Sequence, residues 1–499
     1  MPLPAQNEEW PPRTWREVFQ KYAEWAAWYS GDPNRLATVH SGMVYTPTPR
    51  GRFWAKELKE ERETMLHVPI AGDIASVSAD LLFSEPPVFT IPGATAEKAS
   101  RDEIDAQERL DEIVNKNDTF SVLLELGETA AAMSGAFVKV KWDRALYDFP
   151  ILSVVQADAA IPVFQWGHLR EVTFYQVIRE EQRHGETYIF RHVEHHEPGS
   201  IQNRLYVGTR HTIGREIALE QDPRTEMLEP DIATGIDDLL VRYVPNKRPN
   251  RLWRGSPLGQ GDYGGVEGLM DALDETYTSW LRDIRLARAR IIVPEVYLEF
   301  DKESGEGQHF FDIDKSVFAG LNMGPPGEEQ KITLSQFDVR AKEHRETSLE
   351  LLDRIISSAG YSPQSFGLKI EGRAESGTAL RARERKSLKT RQKKQVYMGR
   401  ALADILELVL RVDVEILGHR GVVFRPEVEF ADSLPDDPNE AAESVRTLFM
   451  AESASVDTRV RLLHPDWDED RVDEEVRRIQ EERGIMIAPP ELPPDRGGE

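Results

Sequence analysis

The segment 265–418 constrains the fold most strongly, because two helical patterns flank a β-rich insertion and a longer helical pattern follows. Apolar residues recur at steps of three and four over 265–293, which predicts one amphipathic helix that Pro294 ends. Its first half is acidic and its second half holds four arginines, an arrangement that the helix dipole favours. A second helix is predicted over 339–359, before Gly360.

The residues between and after these helices predict a mixed α+β fold. Residues 294–337 contain short strand-like runs joined by Gly- and Pro-rich turns. A Gly-containing loop at 361–376 leads to a third helical pattern over 377–417. This third pattern holds no proline and greatly exceeds the mean helix length of about 11–12 residues.

The flanking regions extend the same mixed pattern. The region 135–244 is β-rich and predicts a hairpin that turns at 197–200. Strands are expected again at 422–432, and two acidic helices near 439–452 and 470–483. The Pro-rich tail from 488 onward is expected to be disordered.

Composition excludes several classes of protein. The net charge of -25 argues against a classical DNA-binding domain, which needs Lys and Arg to neutralise phosphates. It is compatible with a protein past which DNA slides, because an acidic channel repels the duplex. The absence of cysteine excludes disulfides, thiolate metal sites and cysteine nucleophiles. The polar N-terminus does not resemble a signal peptide, and no apolar run approaches the length of a membrane span.

A G-x-G-x-x-G motif at Gly259, Gly261 and Gly264 precedes the first long helix. A dinucleotide site requires a strand that runs directly into the first glycine, whereas Pro257 and a basic loop stand there. A flexible joint that sets the angle of the helix is the favoured interpretation. Nucleotide binding by an enzyme built around 259–265 is the alternative.

A histidine-rich strand is a second candidate site. On an extended strand His192, Glu194 and His196 share one face, so a metal site is conceivable. The spacing of helical zinc enzymes is not matched, because Val193 follows the first histidine. A solvated strand is the favoured interpretation, and no metal is expected. We find no catalytic constellation in the sequence.

A basic run interrupts the acidic chain at 381–394. Nucleic-acid contact and salt bridges to neighbouring acidic helices both explain it, and they can hold on different faces. The preceding loop carries Lys369, Glu371 and Arg373 among glycines, which indicates either a plain connector or a protruding functional loop.

Several segments together resemble the portal, or head-to-tail connector, proteins of tailed bacteriophages. These are ADLLFSEPP at 79–87, GAFVKVKWD with PILSVVQADAAIPVFQWG over 135–167, RGSPLGQGDYGGVEGLMDALDETYTSWLRDI at 254–284, and SAGYSPQSFGL with ESGTALRARERKSLKTRQ over 358–392, followed by VVFRPEVEFADSLPDDPNE. The resemblance covers nearly the whole chain, and the segments are specific as a set rather than singly.

The resemblance implies a subunit of a ring, typically of twelve copies, at one capsid vertex. Its implied parts are a wing at 1–264 with 422–432, a first stem helix at 265–293, a clip at 294–337, a second stem helix at 338–360, a tunnel loop at 361–376, a long wing or crown helix at 377–418, crown helices at 433–487 and a tail at 488–499. The fold class is therefore α+β, with a β-rich wing, paired stem helices and a β-containing clip.

The function implied by the resemblance is structural. The ring would be a virion component, assembled in the host cytoplasm, that conducts double-stranded DNA without sequence specificity during packaging and ejection. Its implied partners are copies of itself, the terminase large subunit, the head-tail adaptor, and the major capsid or scaffolding protein, with no membrane. We expect no enzymatic activity and no cofactor. Another virion structural protein is a further alternative.

The resemblance also assigns candidate residues. Lys369, Glu371 and Arg373 would face DNA from the tunnel loop. The basic helix would contact DNA or neighbouring subunits through Arg381, Arg383, Lys386, Lys389, Arg391, Lys393 and Lys394. Strong repulsion between acidic subunits also predicts that ring assembly depends on salt.

Overall fold

The computed structural model of this chain describes residues 3–42, 65–96, 98–183, 185–287, 290–292, 299–300, 309–310, 333–335, 339–368, 377–431, 438–451, 453–464, 467 and 469–482. Both helices and antiparallel sheets occur throughout these residues, so the predicted α+β class is confirmed. No described helix combines the length and apolarity that crossing a bilayer requires.

The N-terminal part is mostly helical. Its helices are α1 (Arg16–Ser30), α2 (Pro33–Gly42), α3 (Ile70–Leu82), α4 (Arg101–Lys116) and α5 (Thr119–Met133). α4 begins at a capping box, in which the Ser100 hydroxyl accepts from the Glu103 backbone N–H and the Glu103 carboxylate accepts from the Ser100 N–H. α1 ends at Gly31, whose left-handed backbone suits glycine.

The strands pair in antiparallel fashion, and short turns join several of the consecutive strands. The strands are β1 (Val88–Thr90), β2 (Gly135–Lys141), β3 (Ile151–Gln156), β4 (Ala160–Gln165), β5 (His168–Arg183), β6 (Glu186–Glu197), β7 (Ser200–Gly208), β8 (Arg215–Ile217), β9 (Asp231–Ala233), β10 (Val241–Pro245), β11 (Arg290–Ile292), β12 (Glu299–Phe300), β13 (His309–Phe310), β14 (Thr333–Ser335) and β15 (Glu427–Glu429).

The largest sheet has the order β4-β5-β6-β7-β8, and β9 pairs with β7 on the side of β8. Glu197 pairs with Ser200, so the predicted hairpin is confirmed. A second sheet has the order β10-β2-β3. β15, from the segment 422–432, pairs with β1 and so connects that segment to the N-terminal part.

Two helices enclose the predicted β insertion. They are α6 (Glu267–Leu286) and α7 (Ala341–Ala359). Within the insertion β11 pairs with β14, and β12 pairs with β13. α6 is shorter than the predicted helix over 265–293, because the β-branched residues Ile291 and Ile292 form strand β11 instead.

The C-terminal part begins with the long helix α8 (Gly377–Glu415), which confirms the predicted pattern over 377–417. It is followed by α9 (Pro438–Met450), α10 (Val456–Leu463) and α11 (Glu469–Glu482). α9 and α11 match the two predicted acidic helices. α10 was not predicted, because its eight residues are too few for a periodic pattern to stand out.

The core consists mainly of two apolar clusters. One cluster surrounds Trp25 and Trp28 of α1 and includes Leu273 of α6 and Ile355 of α7. The other joins α4 and α5 to sheet β10-β2-β3 and to the apolar half of α8, where Leu406 is buried. The first cluster therefore anchors the paired helices α6 and α7 to the rest of the subunit.

Candidate functional site at the root of the paired helices

The helices α6 and α7 run antiparallel, as contacts at both of their ends show. At one end the Lys247 ammonium donates to the carbonyl of Ala359, the last residue of α7, and lies 3.3 Å from Asp262, just before α6. At the other end Asp283 of α6 accepts hydrogen bonds from Arg340 and His344 at the start of α7. The insertion between the helices therefore departs from this second end.

A buried polar cluster, here called the root cluster, holds the first end. It consists of Ser78, Asp262, Tyr361 and Lys394. The Lys394 ammonium donates to the Asp262 carboxylate and to the Ser78 hydroxyl, and the Tyr361 hydroxyl donates to Asp262 at 2.7 Å. Ser78 lies in α3 and Asp262 in the loop before α6. Tyr361 follows α7 by two residues, and Lys394 lies in α8. Four segments distant in sequence are thus joined at one point.

The surroundings of the root cluster favour the charged form of Asp262 and disfavour the charged form of Lys394, as their pKa values show. Burial would raise the pKa of Asp262, but the positive charges of Lys394 and Lys247 lower it to about 2. Burial lowers the pKa of Lys394 to about 8, and Asp262 offsets only part of this effect because Lys247 adds a second positive charge. The Asp262 carboxylate is therefore firmly ionised, whereas burial destabilises the charged form of Lys394.

The Gly-rich loop before α6 is packed rather than flexible, so the expected flexible joint is wrong. A Cβ on Gly259 would lie 2.2 Å from the Ser134 carbonyl oxygen, and one on Gly261 would lie 3.0 Å from that of Ala132. The glycines are required because the chain passes directly over the end of α5.

Hydrogen bonds within the subunit also occupy this loop. The backbone N–H groups of residues 259, 260, 262, 264 and 265 donate to Tyr243, Lys247, Ala131, Gly261 and Glu267, respectively. A nucleotide phosphate would need such N–H groups to be available. The loop therefore does not favour the alternative of a nucleotide site at 259–265.

The first turn of α6 is held by a second buried contact. The Glu267 carboxylate accepts a hydrogen bond from the Trp25 indole at 2.9 Å and forms an ion pair with Lys21 at 2.5 Å. Both partners lie on α1. The direction in which α6 leaves the domain is thus fixed from two sides, by the root cluster and by α1.

The other end of the helix pair is held by a more exposed contact, here called the clasp, which consists of Trp280, Asp283, Arg340 and His344. Arg340 donates to Asp283 at 2.9 and 3.1 Å, and His344 donates to the same oxygen at 3.0 Å. The Trp280 ring stacks on the His344 imidazole at 6.0 Å between centroids. Hydrogen bonds from His344 and Arg340 lower the pKa of Asp283.

The basic run of α8 is divided between two faces. Arg391 and Lys394 are buried inside the subunit, where Arg391 donates to the carbonyls of Leu81 and Ala431. Lys386, Lys389 and Lys393 are exposed on the other face. Of these three, Lys386 caps α7 by donating to the Ser357 carbonyl.

Lys369, Glu371 and Arg373 of the tunnel loop lie outside the described residues, as do the side chains of Arg381 and Arg383. The described chain resumes at the start of α8, and the loop departs after Leu368, close to the root cluster in sequence.

The histidine-rich strand is not a solvated strand, because His195 and His196 are buried. Glu194 accepts hydrogen bonds from Lys139 at 2.8 Å and from His196 at 2.5 Å. Burial would raise the pKa of Glu194, but these two partners lower it strongly. Among the described residues no group of three His, Asp or Glu side chains is arranged to hold a metal ion.

Sequence reasoning missed Asp262, Tyr361, Asp283 and His344. Asp262 stands inside the glycine motif, and aspartate is common in turns, so its position in the sequence does not indicate a buried ion pair. Lys394 was expected to contact DNA or a neighbouring subunit with the rest of the basic run, but it is buried and pairs with Asp262 within the subunit. Its four-residue spacing from the apolar positions Met398 and Leu402 indicated the buried face of α8 instead.

This chain is similar to one known protein family in sequence and to solved structures in fold. The sequence matches the profile of the family described as phage portal protein, SPP1 Gp6-like, over residues 13–484. A comparison with curated proteins gives no match. Among solved structures, a chain from the virion of a native gene transfer agent particle aligns at a TM-score of 0.41 and 12% identity, covering 92% of this chain and 96% of that chain.

A chain from the neck of an empty gene transfer agent particle aligns at a TM-score of 0.43 and 13% identity, with the same coverage of 92% and 96%. The family match carries the assignment, because it extends from α1 through α11 and includes both the helix pair and the long helix α8. The chain belongs to the phage portal protein family.

Proposed function

We propose that this protein forms a ring, of twelve subunits, at one capsid vertex, and that double-stranded DNA passes through the ring during packaging and ejection. The observation that carries the proposal is the antiparallel pair α6 and α7 with its insertion at the far end, in a member of the portal family. At about 1.5 Å per residue, the 20-residue α6 is about 30 Å long, which suits the wall of a short tube.

The far end of the helix pair is the proposed docking face for the terminase and the head-tail adaptor. The insertion leaves from the clasp, so in a ring of parallel helix pairs all insertions would lie at one rim. The fixed root cluster supports this arrangement, because it sets one direction for the helix pair in every subunit. The protein then performs no chemical step, and needs no cofactor.

The proposed DNA contact is the loop at 361–376, through Lys369, Glu371 and Arg373. It departs near the root cluster, where the helix pair joins the rest of the subunit. Its charged residues stand between glycines, which suits a loop that adjusts to a moving duplex. Of the basic helix, Lys389 and Lys393 are the exposed candidates for DNA or for a neighbouring subunit.

Electron microscopy of the purified protein in negative stain tests the ring. We expect class averages with a central hole of about 20–40 Å, wide enough for a duplex of about 20 Å. Particles of one or two subunits at every salt and Mg²⁺ concentration would contradict the proposal. A Lys369→Ala/Arg373→Ala variant should still form rings but package less DNA, and normal packaging would remove the loop from the proposal.

A further inference from the structure

A cationic trough lies between the loop after β10 and the exposed face of α8. It consists of three hollows of 290, 370 and 570 Å³, all of which are lined by Arg248 and Tyr397. The trough residues used below are Arg248, Arg251, Lys393, Val396, Tyr397 and Arg400. Its four cations are exposed in a chain with a net charge of -25. The trough is therefore a local exception to the charge of the protein.

The charges of the trough are not balanced within the subunit. Arg248, Arg251, Lys393 and Arg400 form no ion pair with any other residue that the structure describes. The acidic residues that reach the hollows already have partners. Asp238 pairs with Arg242, Asp262 with Lys394, Asp404 with Arg425, and Glu407 with Arg411. An anionic partner from outside the subunit would supply the missing charge.

An exposed tryptophan stands at the edge of the trough. Trp166 and Gly167 form the two-residue turn between β4 and β5, and Gly167 lines two of the hollows. Trp166 is 92% exposed and has a φ of 51°, a left-handed conformation that disfavours bulky residues. Asn-Gly suits such a turn better, so neither stability nor solubility accounts for the tryptophan. An aromatic anchor for a protein partner does.

The trough also presents an exposed apolar side chain, which favours a protein over a nucleic acid. Val396, 71% exposed, lies between Lys393 and Arg400 on the same face of α8. Phosphate groups gain nothing from an exposed valine, whereas an acidic segment with apolar side chains would use both the cations and the valine.

The chain itself carries such a segment at 226–231. All six residues, with the sequence EMLEPD, are exposed, and Met227 is 88% exposed. Glu226 and Glu229 form no ion pair with described residues. The segment leads into β9, which lies at the opposite edge of the six-stranded sheet from β4 and Trp166. A head-to-tail ring contact requires two different and complementary patches on each subunit, and the acidic segment and the trough meet that requirement.

We propose that segment 226–231 of one subunit docks into the cationic trough of the next subunit, with Met227 against Val396 and Trp166. The proposal rests on the ring of the proposed function and names the contact that closes it. Each subunit then offers its trough to one neighbour and its acidic segment to the other. The contact also offsets part of the repulsion between the acidic subunits.

Charge reversal in two separate variants tests this contact in the full-length protein. One variant carries Arg251→Glu and Lys393→Glu, and the other carries Glu226→Lys and Glu229→Lys. All four positions are exposed, so circular dichroism should show folded subunits in both. We expect each variant alone to lose about tenfold or more of its rings in electron micrographs and mass photometry. An equimolar mixture should regain them, because each reversed patch then meets its opposite.

Two further variants serve as controls. Arg101→Glu with Glu108→Lys reverses exposed charges on α4 and should leave the rings unchanged. Trp166→Asn should leave the thermal unfolding temperature equal or higher, since Asn-Gly suits the turn, yet it should reduce the ring fraction about tenfold. A ring fraction that Trp166→Asn leaves unchanged would contradict the anchor.

The outcomes distinguish this contact from the ring itself. If both charge-reversed variants form rings as abundantly as the wild-type protein does, the proposed contact is overturned and the proposed function remains intact. Two defective variants that do not rescue each other would also overturn it. Intact rings combined with lost binding of a double-stranded DNA fragment would assign the trough to nucleic acid instead. A wild-type protein that forms no rings would overturn the proposed function and, with it, this contact.

Discussion

The two ends of α6 are held by similar chemistry in very different surroundings. At the root cluster Asp262 and Lys394 are 0% and 2% exposed, whereas at the clasp Asp283 and Arg340 are 19% and 67% exposed. In each case an aspartate accepts hydrogen bonds from a cation and from a neutral or aromatic partner. The difference teaches that burial, rather than the kind of contact, decides which end of the helix pair is fixed.

Burial strengthens a contact only while every partner is present. The Asp262 carboxylate accepts from Lys394, Tyr361 and Asn246, and Lys247 lies 3.3 Å away. Removing one member leaves a buried charge that water does not reach. At the clasp, water replaces a lost partner at little cost. The root cluster should therefore behave as a rigid pivot, and the clasp as an adjustable contact.

The largest expected effect is that of Asp262→Ala. This change leaves the Lys394 ammonium buried without its counter-ion and leaves the Tyr361 hydroxyl without its acceptor. We expect a loss of about 3–5 kcal/mol in the free energy of unfolding. Urea unfolding followed by tryptophan fluorescence measures it.

A double variant provides the control for this change. Adding Lys394→Met to Asp262→Ala removes the stranded charge, so the double variant should be more stable than Asp262→Ala alone. Two outcomes would show that the root cluster is not the pivot. One is a double variant whose loss of unfolding free energy equals the sum of the losses in Asp262→Ala and Lys394→Met. The other is an Asp262→Ala variant within about 1 kcal/mol of wild type.

The next effect concerns pH. Burial lowers the pKa of Lys394 to about 8 from its usual 10.5, so between these values the unfolded chain holds a proton that the folded protein releases. Stability should therefore rise with pH across this window, by at most about 1.4 kcal/mol per pH unit. The Lys394→Met variant has no titrating amine at this position, so its stability should not rise with pH in this window. The measurement is the difference in unfolding free energy between wild type and Lys394→Met at about pH 7.5 and about pH 9.5. A constant difference would contradict the burial of a charged Lys394.

A pair of glycine substitutions compares the loop before α6 with the helix itself. In Gly259→Ala the new methyl group meets the Ser134 carbonyl oxygen, so we expect a loss of about 1–3 kcal/mol. In Gly268→Ala, inside α6, the methyl group meets open space, and higher helix propensity should stabilise the protein by about 0.5–1 kcal/mol. Thermal unfolding of both variants gives the signs. Equal effects would mean that the loop tolerates movement after all.

These effects mark the limit of what the sequence could predict. Periodicity located α7 and α8 closely, because long amphipathic patterns report which face is buried. It overextended α6, since a pattern over 265–293 does not reveal that Ile291 and Ile292 gain more by pairing with β14. Local competition between helix and strand is decided by a partner more than forty residues away.

The site was less predictable than the fold for the same reason. Lys394 looked like its basic neighbours until α3 and the loop before α6 were placed beside it, and only then did Asp262 become its partner. The clasp joins residues 283, 340 and 344 across the whole insertion. No spacing rule links them. The resemblance to portal proteins supplied the architecture, whereas the pairing of individual charges needed coordinates.

The smallest effect is expected at the clasp and tests the other half of the comparison. In Asp283→Asn the amide oxygen still accepts from Arg340 or His344, but the charge is lost, so the unfolding free energy should fall by at most about 1 kcal/mol. The effect should shrink further at high salt, because Arg340 is largely exposed. Urea unfolding at low and high salt measures it, with Asp262→Ala as the salt-insensitive reference. A loss at the clasp as large as that at the root would mean that Asp283 is shielded from water in the assembled ring, and the clasp would then be a second pivot rather than an adjustable contact.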